Sequence, residues 1–393
     1  MTPETPSIPE TEFAHRRARA AQAAGEAGLD ALLVCSRGGG TLDRFGDVAY
    51  LTNFYTSFPY IPDLHGAWND RAHAFVVVTA DGVTRLVGDA PNDGSVALDG
   101  DAIRITDFVR DGLIDELCSL GLANGRIGLV GTDTLPAAAL RGLETALPAA
   151  EFPDAGAILK DLRAVKSPAE IECLREASAL GSKVMDRMMA AARPGASHGD
   201  VVAEGMQVLV PAGGLLYNSF MASGRGGEDP VYVRRNFPTW GAGERLEDGH
   251  WFRIGISGFL DRYGFDLSRS KAVGAATNRE IQLLEDAIAI VEAAIAAIRP
   301  GVPAEDVARA GLERQTALGY PNDGVFSGLG HGIGLGWDAP WLAPGDRTPL
   351  RAGMVLCIER TIRKDGYLGD FEETVLVTET GGERLTSAQI RHW

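Results

Sequence analysis

Residues 193–205 read Arg-Pro-Gly-Ala-Ser-His-Gly-Asp-Val-Val-Ala-Glu-Gly, and residues 299–311 read Arg-Pro-Gly-Val-Pro-Ala-Glu-Asp-Val-Ala-Arg-Ala-Gly. The Arg-Pro-Gly break, the Asp-Val pair and the closing Gly recur at the same internal spacing. Self-similarity at this distance implies a duplicated half-domain. Each copy follows a long helical pattern that opens on Glu-Ile, at Glu170 and at Glu280, and each is followed by a second helix. The first long helix is about one turn longer than its counterpart. Its start is marked by Ser167-Pro168, with Ser as N-cap and Pro as the first helical residue. Four helices leave apolar faces that need strands to cover them. Segments near 215–223, 250–273, 325–335 and 354–378 supply those strands, giving an α+β domain with a pseudo-twofold repeat over residues 158–393.

Within those strands lie four residues of metal-binding type. Asp266 sits in Tyr-Gly-Phe-Asp-Leu-Ser-Arg-Ser, His331 in Gly-Leu-Gly-His-Gly-Ile-Gly-Leu, Glu359 in Gly-Met-Val-Leu-Cys-Ile-Glu-Arg, and Glu372 in Phe-Glu-Glu-Thr-Val-Leu-Val-Thr. Two carboxylates on apolar strands at 354–358 and 375–378 would be costly to bury unneutralised. Ion pairs to Arg360, Arg363 or Lys364 are one solution, and a shared cation is the other. The glycines around His331 remove bulk where backbone, ion and substrate would approach. Oxygen and imidazole donors suit manganese, iron, cobalt or zinc.

At these residues the chain resembles the pita-bread hydrolases, the family of aminopeptidase P, prolidase, methionine aminopeptidase and creatinase. Residues 162–171, Leu-Arg-Ala-Val-Lys-Ser-Pro-Ala-Glu-Ile, look like that family's entry into its C-terminal domain. The resemblance implies a pita-bread fold, a homodimer, and metal ligation by Asp266, His331, Glu359 and Glu372. Five ligands for two metals are usual in the family. Here Gly255, in Gly-His-Trp-Phe-Arg-Ile-Gly-Ile-Ser-Gly (249–258), takes the place of the first aspartate. The implied cofactor is therefore one divalent ion, or none, as in the creatinase-like branch. Asp261, nearer the expected hairpin turn, is the alternative donor.

Further departures concern the substrate side. The histidine that the family carries after a Ser-Gly turn would fall near Val231, and the later His-Glu-x-Pro segment is shortened to Gly-Trp-Asp-Ala-Pro at 336–340. Trp337 and Asp338 thus become candidate substrate contacts. Arg253 lies two residues before Gly255 and so shares its strand face. It is expected either to supply a fixed cation toward the vacated metal position or to be an exposed strand residue. His331, Glu359 and Arg253 are the candidate catalytic groups, with Glu359 carrying the proton. Arg225 joins them as a candidate carboxylate contact, along with Arg234 and Arg235. The implied reaction is hydrolysis of a C–N bond in a small amide, amidine or Xaa-Pro-like dipeptide. A lyase resembling dimethylsulfoniopropionate lyase and an inactive binding protein are the alternatives.

The remaining chain reads as an α/β N-terminal domain over 11–157, preceded by a solvated tail at 1–10. A helix at 12–28 leads to strands at 31–34, 74–79, 84–87 and 127–130, with a helix at 111–120. Tyr55, Phe58, Tyr60, His65 and Trp68 form an aromatic-rich segment, expected as core, dimer or substrate contacts.

A net charge of −16 disfavours nucleic acid and anionic membranes as partners. The most apolar run, 287–298, is short and interrupted by Glu292, so no membrane span is expected. The tail lacks signal-peptide character, and Cys35, Cys118, Cys173 and Cys357 are spaced as buried free thiols; a cytoplasmic setting follows as the expectation.

Overall fold

The computed structural model describes residues 7–37, 45–56, 59, 61–89, 96–225, 235–237 (main chain only), 241–322 and 327–392. The chain divides into two compact units, residues 8–163 and residues 164–393.

The first unit contains α1 (Glu10–Glu26), β1 (Ala31–Arg37), α2 (Gly46–Thr52), β2 (His73–Thr79), β3 (Thr84–Gly88), β4 (Ile103–Ile105), α3 (Val109–Ser119), β5 (Ile127–Val130), α4 (Ala137–Ala146) and α5 (Gly156–Ala164). Its sheet has the order β4-β3-β2-β1-β5, with β1 parallel to β5 and antiparallel to β2. All seven residues of β2 are buried, as expected of a central strand covered on both faces. Three of the four cysteines are buried, but Cys118 is exposed. It lies on the outer side of α3, whose inner side is formed by Val109, Leu113 and Leu117.

The second unit carries the repeat. Its helices are α6 (Pro168–Ala191), α7 (His198–Leu209), α8 (Asn278–Ala297) and α9 (Ala304–Ala317). Ser167 and Thr277 cap α6 and α8, and in each case the glutamate three residues on, Glu170 or Glu280, reaches back to the cap's N–H. The paired Glu-Ile openings are therefore two capping boxes. Gly195 and Gly301, at φ +86° and +87°, make the same left-handed turn in both copies.

The strands are β6 (Leu215–Gly224), β7 (Arg235–Phe237), β8 (His250–Leu260), β9 (Tyr263–Val273), β10 (Gly330–Ile333), β11 (Trp337–Trp341), β12 (Val355–Lys364), β13 (Tyr367–Val377) and β14 (Gly382–Arg384). They form a four-stranded sheet, β7-β6-β8-β9, and a five-stranded sheet, β11-β10-β12-β13-β14. Helices α6 and α7 bury Val184, Met185, Val201 and Leu209 among Ile254, Ile256 and Phe265, and α8 and α9 bury Leu284, Ile290 and Val307 among Leu356, Ile358 and Phe371. Each half thus owns a core.

β9, the edge of the first sheet, meets the stretch of β13 before Val375, which β14 does not pair, and side-chain bonds to main-chain carbonyls join the two halves there. Thr374 Oγ1 donates to Asp266 O (2.8 Å), Ser270 Oγ to Asp370 O (3.1 Å) and Arg269 Nη1 to Glu372 O (2.7 Å). Arg269 also pairs with Glu373 and donates to Ala388 and Gln389 carbonyls, so it straps the C-terminal segment behind this junction.

Candidate metal centre

The seam between β9 and β13 positions the chemistry. In the β12–β13 ladder Glu359 faces Glu372 directly, and Cys357 faces Thr374. In the neighbouring ladder His331 faces Cys357. Side chains at alternate positions share a face, so His331, Cys357, Glu359, Glu372 and Thr374 all point one way. Asp266 completes the group from β9. One donor atom each from Asp266, His331, Cys357 and Glu372 lies within 4.8 Å of all the others, and all four residues are buried. Glu359 stands outside this tightest set and is only partly buried.

Gly330 and Gly332 explain how β10 fits. A Cβ on Gly330, at φ +148°, would lie 1.8 Å from Cys357 O, and one on Gly332 would lie 2.4 Å from Ala339 O. Only glycine lets β10 pass this closely between β11 and β12. His331 Nδ1 is 2.9 Å from Gly332 O, and because a carbonyl can only accept, Nδ1 carries the proton. Nε2 therefore turns its lone pair toward Asp266, 3.7 Å away. Burial holds the imidazole below its ordinary pKa.

Burial pushes Asp266 well above the usual carboxylate range, and Glu359 adds to the shift. Glu372 is raised in the same sense, first by burial and then by Asp266 and Glu359, with Arg253 opposing. The Cys357 thiol is also pushed up, by burial and then by Asp266 and Glu372. Such a pocket gathers acids that burial keeps from ionising without a cation, together with a correctly oriented imidazole, the donor chemistry that a divalent cation satisfies. Arg360 does not neutralise it in the described bonds: it serves Gln315, Asn322 and Gly328 O on the opposite face of β12.

Arg253 is 4% exposed, which excludes an exposed strand position. Its Nε and Nη2 donate to Asp370 Oδ2 at 2.9 and 2.6 Å, and Thr361 Oγ1 donates to the other carboxylate oxygen. A Cβ added to Gly255 would lie 3.5 Å from Arg253 Nη2. The guanidinium therefore borders the space that an aspartate there would enter. Asp261 fails as a displaced donor. It sits exposed in the β8–β9 turn at φ +44°, five residues from Asp266, about 16 Å along an extended strand.

The other candidates separate. Trp337 is half exposed and donates from Nε1 to Asp266 Oδ2 (3.2 Å); its ring centroid lies 5.0 Å from that of His331, with Trp341 at 5.6 Å. Asp338 is buried against Lys166 Nζ (3.4 Å). Arg225 is exposed and pairs with Glu247 at 3.1 Å. In the first unit Tyr55 packs edge-on against Phe45, Trp68 Nε1 donates to Pro62 O, and His65 is exposed. Phe58, Tyr60, Val231 and Arg234 lie outside the described residues, as does the side chain of Arg235. Sequence reasoning missed Cys357 and Asp370 as parts of the centre. Each lies two residues before a recognised acid, Glu359 or Glu372, on the same strand face, and that spacing was the available signal.

The sequence pattern of metallopeptidase family M24 matches residues 172–379, and that of the creatinase/prolidase N-terminal domain matches residues 16–165. The chain is similar to the Xaa-Pro dipeptidase of Pyrococcus furiosus, 28% identical over 244 residues that cover 61% of this chain and 68% of that one. It is also similar to the probable dipeptidase PepE of Mycobacterium tuberculosis, 30% identical over 284 residues that cover 71% and 73% of the two chains. The crystal structure of dipeptidase PepE from Mycobacterium ulcerans superposes with a TM-score of 0.77 at 27% identity, covering 97% of each chain. The duplicated α+β unit is the pita-bread fold, and the M24 match spans most of it, including every donor of the buried centre. This chain belongs to metallopeptidase family M24, as a hydrolase with a creatinase/prolidase N-terminal domain.

Proposed function

We propose that this protein hydrolyses a C–N bond in a small amide, amidine or Xaa-Pro-like dipeptide at a centre holding one divalent ion. The observation that carries this reading is the convergence of Asp266, His331 and Glu372 beside a fixed guanidinium at Gly255. A divalent ion bound there would polarise the scissile carbonyl and activate water.

Asp266, Glu372 and His331 Nε2 would hold the ion. Glu359, partly exposed and opposite Glu372, takes the proton from the attacking water and passes it to the departing nitrogen. Arg253 anchors an anionic group of the substrate, such as a free carboxylate, and Asp370 fixes its orientation. Trp337 walls the centre, and its bond to Asp266 keeps that carboxylate turned inward. Such an arrangement favours short substrates with a carboxylate a fixed distance from the bond to be cut.

The test is hydrolysis of dipeptides and N-acyl amino acids by protein treated with chelator and then reloaded. Turnover that is lost on chelation and restored by a divalent ion is expected. Turnover that persists in chelator would refute the reading.

A further inference from the structure

Cys357 is the member of the buried group that the functional reading leaves unused. It is fully buried on β12, and its Sγ lies within 4.8 Å of donor atoms from Asp266, His331 and Glu372. Donors that share one small divalent ion stand about 3–4 Å apart, so the group needs only a slight contraction to share one. A buried free cysteine ordinarily acts as a small hydrophobe. Here its neighbours are two carboxylates, an imidazole and the Thr374 hydroxyl. Thr374 Oγ1 donates its hydrogen to Asp266 O, so the thiol is the donor in the 3.7 Å contact between them, and a thiol is a weak donor. Glu359, in contrast, stands outside the tightest set and is partly exposed, which suits a group that exchanges protons more than one that is locked onto an ion.

We propose that Cys357 is the fourth protein ligand of the divalent ion, so that the centre prefers thiophilic ions, zinc or cobalt, to manganese. The inference rests on the metal centre proposed above. On binding, the Sγ–H bond would break heterolytically, sulfur would donate its electron pair to the ion, and the proton would leave to solvent. One proton is released per Cys357 ligated, and no oxidant or reductant is needed. The choice of ion follows from ligand softness: a thiolate added to two carboxylates and an imidazole raises affinity for borderline ions while adding little for a hard one.

The experiment uses the full chain in a Cys118→Ser background, which removes the exposed thiol, with Cys357→Ser and Cys357→Ala added to it. Protein stripped by chelator is titrated with cobalt(II) without oxygen, and zinc and manganese then compete for the site. Expected are an intense near-ultraviolet sulfur-to-cobalt charge-transfer band with Cys357 present, its loss in both variants with weaker visible bands retained, and a fall in zinc-over-manganese preference of about tenfold or more. Visible cobalt bands without the near-ultraviolet band would overturn Cys357 as ligand and leave the metal centre standing. No cobalt uptake at all would overturn both. Should neither variant fold, the spectrum of the Cys118→Ser protein decides by itself.

Discussion

Replacing Arg253 by alanine tests two roles that the structure couples. Arg253 and Asp370 are 4% and 1% exposed and joined by bonds of 2.9 and 2.6 Å, so the variant strands a buried carboxylate with Thr361 as its remaining side-chain donor. Breaking a buried pair by removing one partner costs about 3–5 kcal/mol, whereas removing both partners together costs far less. Arg253→Ala should therefore lower the unfolding midpoint by roughly 6–10 °C on the scaling for a unit of this size. Adding Asp370→Asn should recover most of that loss. Catalysis should behave differently. If the guanidinium binds an anionic group of the substrate, kcat/KM falls by about 10²–10³-fold in Arg253→Ala, the range for losing one preorganised charged donor, and it stays low in the double variant. Arg253→Lys should recover part of it, because an ammonium supplies the charge without the planar fork. The measurements are thermal unfolding of metal-loaded protein and kcat/KM on a dipeptide with a free carboxylate. Recovery of turnover together with stability in the double variant would refute the substrate role and leave Arg253 as the neutraliser of Asp370.

The metal content of protein purified without chelator should approach one ion per chain by elemental analysis, because Gly255 supplies no side-chain donor. Gly255→Asp should fold, since the added Cβ meets Arg253 Nη2 and Ser268 Cβ at the ordinary distance of 3.5 Å, and combining it with Arg253→Ala should raise the content toward two ions. In metal-free protein the raised Asp266 and Glu372 mean that the folded state binds more protons than the unfolded one. The contribution of these two acids to stability therefore falls as pH rises from about 4, the ordinary carboxylate value, and outweighs the opposite contribution of the single lowered imidazole, His331, below about 6.5. Unfolding midpoints should accordingly decline from pH 5 to pH 8 in chelator and much less in loaded protein; equal slopes would show that no ion compensates these acids. Trp337→Phe keeps the aromatic wall but removes the 3.2 Å bond to Asp266 Oδ2, and calorimetric titration should show about tenfold weaker metal binding.

Local signals made the scaffold readable. Ser167 and Thr277 with glutamate three residues later mark α6 and α8 because capping is decided within one turn, and the repeated Arg-Pro-Gly marks two equivalent turns. The facing of Glu359 and Glu372 could also be foreseen, since both lie in neighbouring apolar strands. What remained hidden depends on which strands of the two sheets meet. Nothing local to Asp370 says that β13 lies against the sheet bearing Arg253, and nothing local to Cys357 says that Asp266 arrives from β9. Asp261 is the weaker alternative because it lies near a turn, and the hairpin does carry it away from Asp266. Cys118 was expected to be buried from its apolar neighbours, but a helix turns successive residues through about 100°, and the position after Leu117 faces outward.

The clamp of Asp370 on Arg253 gives the centre one cation that belongs to the chain and cannot be washed out, beside the divalent ion that the proposed function requires it to acquire. Under metal starvation the two separate. A depleted chain would still capture the anionic end of its substrate through Arg253 while lacking the means to cut it, so it would sequester substrate without consuming it. On the proposed reading, supply of the ion would set the number of working chains and leave the Arg253 contact of each in place: maximal rate would follow loading, while the anchoring contribution of Arg253 would not.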